Sequence, residues 1–502
     1  MSHSSAPRVA LVTGVTGYLG ARLVPELLRA GWQVRVLSRS PDKLQGRPWL
    51  ADVQVVEGDA GDTADLARAL GGVAVAYYLL HSMDGGGDFA DRDRELARSF
   101  TQAAAAAGVG RIVYLGGLHP DDQRLSPHLS SRKEVGDIFL SGPVPATVLQ
   151  AAVILGSGSA SFEMLRHLTE RLPAMVAPQW LLNRIQPIAV RDVLRFLVGA
   201  ADMPSDVNRT FDIGGPDVLT YRQMVQRFAG LAGLRRRLIV TVPVLTPRLA
   251  GHWVRLVTPV PIGLAKPLVE SLVHEVVCKE HDIAEFVPDP DGGLIGFDDG
   301  VRLSLARADE FPTRPESGRD DQEPSDAVVG DADWVGESTY TDDHSTLVDA
   351  GPEQVWAVVE GVGGDNGWYT PDVLWQARGM ADRLVGGPGF RSTRPDRLLQ
   401  VGDTVNWWRV EDVQSGARLL LRAEAKLPGT AWLEFRVEPE DGRTRLVQRS
   451  VFRPHGLGGH LYWASMLPGH LATFALMHRE MARRAGLSAP ADGREAAESS
   501  AR

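Results

Sequence analysis

Three glycines at fixed intervals behind a short apolar run constrain this chain more than any other feature: Val9-Ala-Leu-Val-Thr-Gly-Val-Thr-Gly-Tyr-Leu-Gly20. Val9–Val12 is apolar at every position, which predicts a parallel strand buried on both faces. Leu23, Leu27 and Leu28 recur at helical spacing and predict a helix over Ala21–Ala30. A strand, a glycine turn and a helix in that order suit a dinucleotide. Gly14 permits the tight turn, Gly17 lets backbone approach a pyrophosphate, and Gly20 lets helix pack on strand. The helix start then aims its N–H groups and positive dipole end at phosphate. Gly14, Thr16, Gly17, Tyr18, Leu19 and Gly20 are therefore the candidate phosphate-binding positions.

Strands and helices alternate beyond this point. Gln33–Ser38, Val53–Asp59, Val73–Leu80 and Arg111–Gly117 read as the second to fifth strands, with helices over Asp62–Leu70 and Phe89–Ala107. Pro145–Leu155 reads as the sixth strand, Ser161–Leu172 as a helix and Arg209–Gly215 as a further strand. The pattern predicts an α/β fold with a doubly wound parallel sheet. Leu80, ending the fourth strand, is expected beside the cofactor, because ligands sit outside the carboxyl ends of such strands. NAD enzymes place a carboxylate for the ribose 2′-hydroxyl about 20 residues past the glycines. Here Ser38 and Arg39 stand there, with no carboxylate before Asp42, so a 2′-phosphate would meet a guanidinium. NADP is the expected cofactor and NAD the alternative.

The Gly-x-x-Gly-x-x-Gly spacing resembles the extended and atypical short-chain dehydrogenase/reductase families over roughly residues 8–290. The resemblance implies a Rossmann-like NAD(P)-binding domain, in which Asp59-Ala60 holds the adenine and Lys133 the nicotinamide ribose. Active members carry a Ser or Thr at the end of the fifth strand and a Tyr four residues before the lysine, which lowers its pKa for proton donation. This chain has Gly116-Gly117 and Leu129 at those places, so the usual donor is missing and Lys133 is left as the catalytic candidate. That departure resembles the atypical branch related to the NmrA-like regulators and the complex I accessory subunits. The wording Tyr114-Leu-Gly-Gly-Leu118 and Ser130-Ser-Arg-Lys-Glu-Val-Gly136 also resembles bacterial proteins in which such a domain is fused to a second one. Tyr114, His81, His119 and His128 are conceivable substitute donors, although each taken singly reads as an ordinary partly buried polar residue. The resemblance further implies that Gly156–Ala160 covers the nicotinamide and that Thr220–Cys278 forms a substrate-side lid. Asn183–Val193 resembles the family's unit of a strand followed by an Arg-Asp-Val helix, and Asp192 is expected to cap that helix.

A length of 502 residues suits two domains. Between Asp289 and Glu337 the composition turns to Asp, Glu, Pro, Gly and Ser, which divides the chain into 1–290, a linker over 291–337, a second domain over 338–486 and a polar tail over 487–502. The net charge of −10 argues against a nucleic-acid partner. Cys278, the one cysteine, excludes an internal disulfide and a multi-cysteine metal site. Met1–Pro7 has no apolar core of signal-peptide length, so a cytoplasmic protein is expected. The apolar runs Leu238–Pro247 and Leu256–Ala265 are too short and proline-broken to span a bilayer, which leaves contact with a membrane surface as the one membrane role open to them.

In the second domain Ser338–Val348 reads as a strand and Pro352–Val359 as a short helix, followed by a Gly- and Trp-rich loop. Asp403–Val410, Ala417–Leu427, Thr430–Pro439 and Arg443–Arg453 read as antiparallel strands, joined by turns such as Glu411–Gly416 and Glu440–Gly442. A long helix spans Leu461–Ala485. This order resembles the α+β helix-grip superfamily (START-like, SRPBCC, polyketide cyclase-like), which implies a curved sheet gripping the last helix over an apolar cavity. Trp407, Trp408, Trp432, Phe435, Tyr462, Trp463 and Phe474 either line such a cavity or form core. His455, His460 and His470 share no helix face, and a Pro468-Gly469 break separates the last two, so no metal is assigned.

Two classes of function stay open. One is an NADP(H)-dependent oxidoreductase with a non-standard active site, acting on a hydrophobic small molecule of quinone-like or polyketide-like kind. The other is a protein that senses NADP(H), or binds a ligand, without chemistry, and the missing tyrosine favours it. A cyclase or hydrolase step in the second domain alone is a third and weaker reading.

Overall fold

A computed structural model of the chain describes residues 8–80, 89–120, 125–242, 258–306, 338–384 and 394–487, with Gly386, Gly387 and Gly389. His81, the loop Asp84–Asp88, residues 243–257, residues 307–337 and the tail from 488 lie outside them. The chain divides into two compact units, one holding the described residues up to Ala306 and the other those from Ser338.

In the first unit β1 (Val9–Val12), β2 (Gln33–Ser38), β3 (Val53–Glu57), β4 (Val75–Tyr78), β5 (Arg111–Gly117), β6 (Ala146–Ala151) and β7 (Arg209–Ile213) form one parallel sheet. Their order is β7-β6-β5-β4-β1-β2-β3. The helices between them are α1 (Tyr18–Arg29), α2 (Thr63–Leu70), α3 (Phe89–Ala106), α4 (Pro127–Leu140), α5 (Ala160–Arg171) and α6 (Val190–Ala200). Successive strand residues feed opposite cores. Ala10, Val12, Val36, Tyr77 and Val113 pack with α1 and α6, while Leu11, Leu37, Ala76, Tyr78 and Ile112 pack with α2, α3 and α4. Order reverses between β1 and β4, where doubly wound sheets take ligands. A separate apolar cluster joins α5 to α7 (Tyr221–Leu231), α8 (Ile262–Ser271) and α9 (Phe297–Leu305) through Phe162, Leu165, Phe228, Val269 and Phe297. Pro145–Leu155 is not one strand: the chain leaves the main sheet after Ala151, and Ile154–Leu155 pairs instead with Ile188–Ala189. The apolar residues continue through Ala151–Leu155, so no change of pattern marks that exit.

The second unit comprises β8 (Tyr340–Val348), α10 (Pro352–Glu360), α11 (Asp372–Leu384), β9 (Thr404–Val405), β10 (Trp408–Gln414), β11 (Arg418–Ala423), β12 (Gly429–Glu440), β13 (Arg443–Pro454) and α12 (Gly456–Leu487). The strands are antiparallel in the order β8-β13-β12-β11-β10-β9. Phe474, Met477 and Met481 of α12 share a core with Leu433, Phe435 and Leu446 of the sheet.

Three expectations are corrected here. Asp403–Val410 is a hairpin rather than a strand, because Asn406 adopts φ +60° between paired Val405 and Trp408. β10 then runs to Gln414, through much of the expected turn Glu411–Gly416. The Gly- and Trp-rich segment read as a loop contains α11, with Trp375 buried and Val373 and Met380 exposed. Among the described residues no helix is long and apolar enough to cross a membrane.

Candidate functional site

The end of β1 is tied to the end of β4 by Thr13, whose N–H and Oγ1 both donate to the Tyr77 carbonyl at 3.0 and 2.9 Å. The Leu79 N–H donates back to Thr13 Oγ1 at 3.2 Å. Gly14 follows at φ +67°, and a Cβ there would lie 2.3 Å from the Leu79 carbonyl oxygen. The Gly17 N–H donates to Gly14 O at 2.9 Å, and a Cβ on Gly20 would lie 2.4 Å from that same oxygen. Glycine is thus required at 14 by conformation and space, and at 20 by space alone. α1 starts from Gly17 with no side-chain cap, so first-turn N–H groups are left for an anion. Thr16 and Gly17 are exposed, Tyr18 and Leu19 half-buried. This cradle fits a pyrophosphate.

Arg39 and Asp59 stand at the neighbouring ends of β2 and β3, both exposed and 3.9 Å apart. The Asp59 turn is held locally: its N–H donates to Asp65 Oδ2 at 2.8 Å and its Oδ1 accepts from the Gly61 N–H at 2.8 Å. The Asp59 N–H, foremost, then holds the Asp65 carboxyl below its usual range. Ala60 is buried and Leu80 half-buried past the end of β4.

Lys133 is exposed on α4 and donates to Asp137 Oδ2 at 2.6 Å. Leu129 is buried, and a Cβ on Gly117 would lie 3.0 Å from its Cδ2. The place of the usual proton donor is therefore apolar. Tyr114 is a core residue: its hydroxyl donates to the Arg132 carbonyl at 3.2 Å, and burial pushes its pKa up to about 12. His119 is buried, with Nδ1 3.3 Å from the Pro120 carbonyl and Nε2 3.1 Å from Gln150 Nε2, so both ring nitrogens have partners. His128 is buried on α4. Asp192 does not cap α6, since it lies inside the first turn and its Oδ2 accepts the Ile295 N–H at 2.8 Å. Sequence reasoning missed Arg22, whose guanidinium stacks on Tyr18 at 4.1 Å and donates to the Ser157 carbonyl at 2.9 Å. It ties the helix of the glycine turn to the Gly156–Ala160 loop, and the four-residue Tyr–Arg spacing was its one signal.

The second unit has a half-open cavity of about 250 Å³ lined by sheet and α12 residues. Trp407, Trp408, Trp432, Tyr462, Trp463 and Phe474 line it, joined by Trp375, Ser450 and His470. Phe435 does not: it is fully buried in the core. α12 continues through Pro468, so the expected Pro468-Gly469 break is absent. Among the described residues no group of His, Cys, Asp and Glu could hold a metal ion.

Fold and site together define a Rossmann-like domain with an NAD(P)-binding glycine turn, followed by a mainly antiparallel α+β unit. Residues 14–151 match the family described as NAD(P)H-binding, and residues 334–477 match one described as a protein of unknown function, DUF2867. The chain is similar to a ceramide reductase of Caulobacter vibrioides, 29% identical over 315 residues, covering 59% of this chain and 93% of that protein. It is also similar to a (4-alkanoyl-5-oxo-2,5-dihydrofuran-3-yl)methyl phosphate reductase of Streptomyces griseus, 29% identical over 231 residues, covering 44% of this chain and 73% of that protein. A third relative is the mitochondrial NADH dehydrogenase [ubiquinone] 1 alpha subcomplex subunit 9 of Mus musculus, 26% identical over 258 residues, covering 49% and 66%.

Proposed function

We propose that the first unit is an NADP(H)-dependent reductase of a hydrophobic, quinone-like or polyketide-like carbonyl compound. The observation that carries this reading is the uncapped start of α1 behind Gly14, with Arg39 rather than a carboxylate ending β2. Gly14, Thr16, Gly17, Tyr18, Leu19 and Gly20 would hold the pyrophosphate, Arg39 the 2′-phosphate, Asp59 and Ala60 the adenine, and Leu80 and Lys133 the nicotinamide side. When bound, the nucleotide supplies a hydride. The chain offers no acid at Leu129, and this suits an acceptor whose reduced oxygen is a weak base. A phenolic oxygen, with a pKa of about 10, takes its proton from water where an aliphatic alkoxide needs an acid. The names of the Caulobacter and Streptomyces relatives, both reductases, support a reduction, and the ceramide of the first supports an apolar substrate. We read the second unit, in which α12 packs on a six-stranded sheet, as a helix-grip fold.

The Lys133–Asp137 pair and the buried Leu129 favour a second reading, a protein that binds NADP(H) without chemistry. Calorimetric titration with NADPH and NADH, followed by mixing the NADPH complex with 1,4-naphthoquinone, separates the two. Preferred NADPH binding with loss of nicotinamide absorbance supports the reductase. Binding without hydride loss to any acceptor supports the sensor, and no binding of either nucleotide overturns both.

A further inference from the structure

The end of β5 carries a cation that no sequence expectation singled out. Leu129 and Arg132 stand three residues apart on α4 and so share a face of it. A Cβ on Gly117 would meet Leu129 Cδ2 at 3.0 Å and Arg132 Cδ at 3.6 Å, so both side chains pass the glycine that ends β5. The Arg132 Nη1 donates to the Leu115 carbonyl at 3.3 Å. β4 pairs with β5 only as far as Tyr78 and Tyr114, which puts Leu115 just past the end of β4, where open α/β sheets take their ligands.

Neighbouring cations already have carboxylates: Lys133 pairs with Asp137, and Arg94 of α3 pairs with Glu134. Arg132 is half-buried, and among the described residues its side chain has the Leu115 carbonyl as partner and no carboxylate. A guanidinium carries five N–H donors, and a partly buried cation without a counter-ion favours an anion beside it. No proton comes from the groups around it. Leu129 is apolar, and the Tyr114 hydroxyl donates to the Arg132 carbonyl. Arginine stays charged throughout, so it can hold an oxyanion but cannot protonate one.

We infer, resting on the reductase reading of this unit, that Arg132 is its electrophilic catalytic residue, donating to the acceptor oxygen as negative charge develops there. The acceptor takes hydride from the bound nucleotide, which is thereby oxidised, and the displaced π pair settles on an acceptor oxygen. Arg132 holds that oxygen until water protonates it. Such a site selects acceptors whose reduced oxygen is stable as an anion, phenolates and enolates rather than aliphatic alkoxides.

The test has two readouts on the full chain. In the first, NADPH oxidation by 1,4-naphthoquinone is followed through nicotinamide absorbance. Arg132→Gln should lower kcat about 100-fold while the quinone KM and the calorimetric NADPH affinity stay unchanged, as for a donor that acts in the transition state. Arg132→Lys keeps the charge and should recover part of that loss. Its activity should fall again as pH rises from 8 to 10, where a lysine begins to lose its proton and an arginine does not. In the second readout no hydride moves: 4-nitrophenol is titrated into the NADP+ complex and its yellow anion is followed by absorbance. The wild type should bind that anion about 10- to 100-fold more tightly than Arg132→Gln does. Full turnover in Arg132→Gln, NADPH affinity lost in step with kcat, or equal binding of the anion by the two proteins would each overturn the assignment. A wild type that binds NADPH but reduces no quinone overturns the reductase reading instead, and the nitrophenolate comparison then decides whether Arg132 is an oxyanion site.

Discussion

Arg39 and Asp59 face each other across the ends of β2 and β3 at 3.9 Å, with the arginine 78% and the aspartate 54% exposed. An ion pair so long and so wet contributes little, and it leaves the guanidinium able to turn to a stronger anion. A hydrogen bond to a charged group is worth about 1.5–3 kcal/mol. Arg39→Ala should therefore weaken NADPH about 10- to 100-fold and leave NADH unchanged, as read by calorimetry. The NADPH advantage of the wild type should also shrink as salt rises. Equal losses for both nucleotides would show that Arg39 does not read a 2′-phosphate.

Gly14 and Gly31 both sit at positive φ, +67° and +82°, but only Gly14 is walled in. A Cβ on Gly31 meets nothing within 4 Å, whereas one on Gly14 would strike the Leu79 carbonyl. Gly31→Ala should cost only the left-handed strain, of order 1 kcal/mol. Gly14→Ala should cost clearly more in urea unfolding and abolish nucleotide binding, because β1 and β4 must part to admit the methyl group. Similar losses for the two variants would mean that the turn yields more readily than its geometry implies.

Legibility followed physical signal. β2 and β5 run over the residues expected from sequence, β2 because Val34 and Val36 alternate with polar Gln33 and Arg35 and β5 because Ile112–Leu115 is an apolar run ended by glycines, and the glycine turn is local chemistry spelled out in order. Asn406 carried a turn signal that the apolar Val405 before it and Trp407-Trp408 after it obscured, so one strand was expected where a hairpin stands. Pro468 suggested a break, yet packing of Phe474, Met477 and Met481 on the sheet outweighs one lost backbone bond. The aromatic lining of the cavity was legible, Trp408 included, but its polar members Ser450 and His470 were not. Trp408, Ser450 and His470 meet only when β10, β13 and α12 are assembled.

Asp192 shows the same limit and carries its own prediction. Read locally it is a helix cap, but in the fold it is 4% exposed and accepts the Ile295 N–H from 103 residues away. Burial, foremost, pushes its carboxyl pKa up, and the Ile295 N–H opposes that. Asp192→Ala leaves the Ile295 N–H without its acceptor and should cost about 1–3 kcal/mol in urea unfolding. Asp192→Asn keeps an acceptor oxygen and should cost less. Equal costs would mean that the side chain acts through packing alone.

His478 makes the second unit acid-sensitive. Its Nε2 lies 2.8 Å from Thr346 Oγ1 and its ring stacks on His344 at 5.6 Å. Burial first, and then the charge on His344, lower its pKa from 6.5 to about 4. Between these values the unfolded chain binds the proton and the folded chain does not, so stability rises with pH across that window. The contribution is complete above about 6.5 and is lost as pH falls towards 4. The wild-type urea midpoint, followed by tryptophan fluorescence, should therefore fall between pH 7 and pH 5. His478→Gln keeps a polar partner for Thr346 and removes the titration, so its midpoint should fall less. The slope that remains includes His470, whose pKa burial lowers against the pull of Asp342, and His274, whose pKa burial also lowers. An unchanged slope in His478→Gln would place the acid sensitivity on other groups.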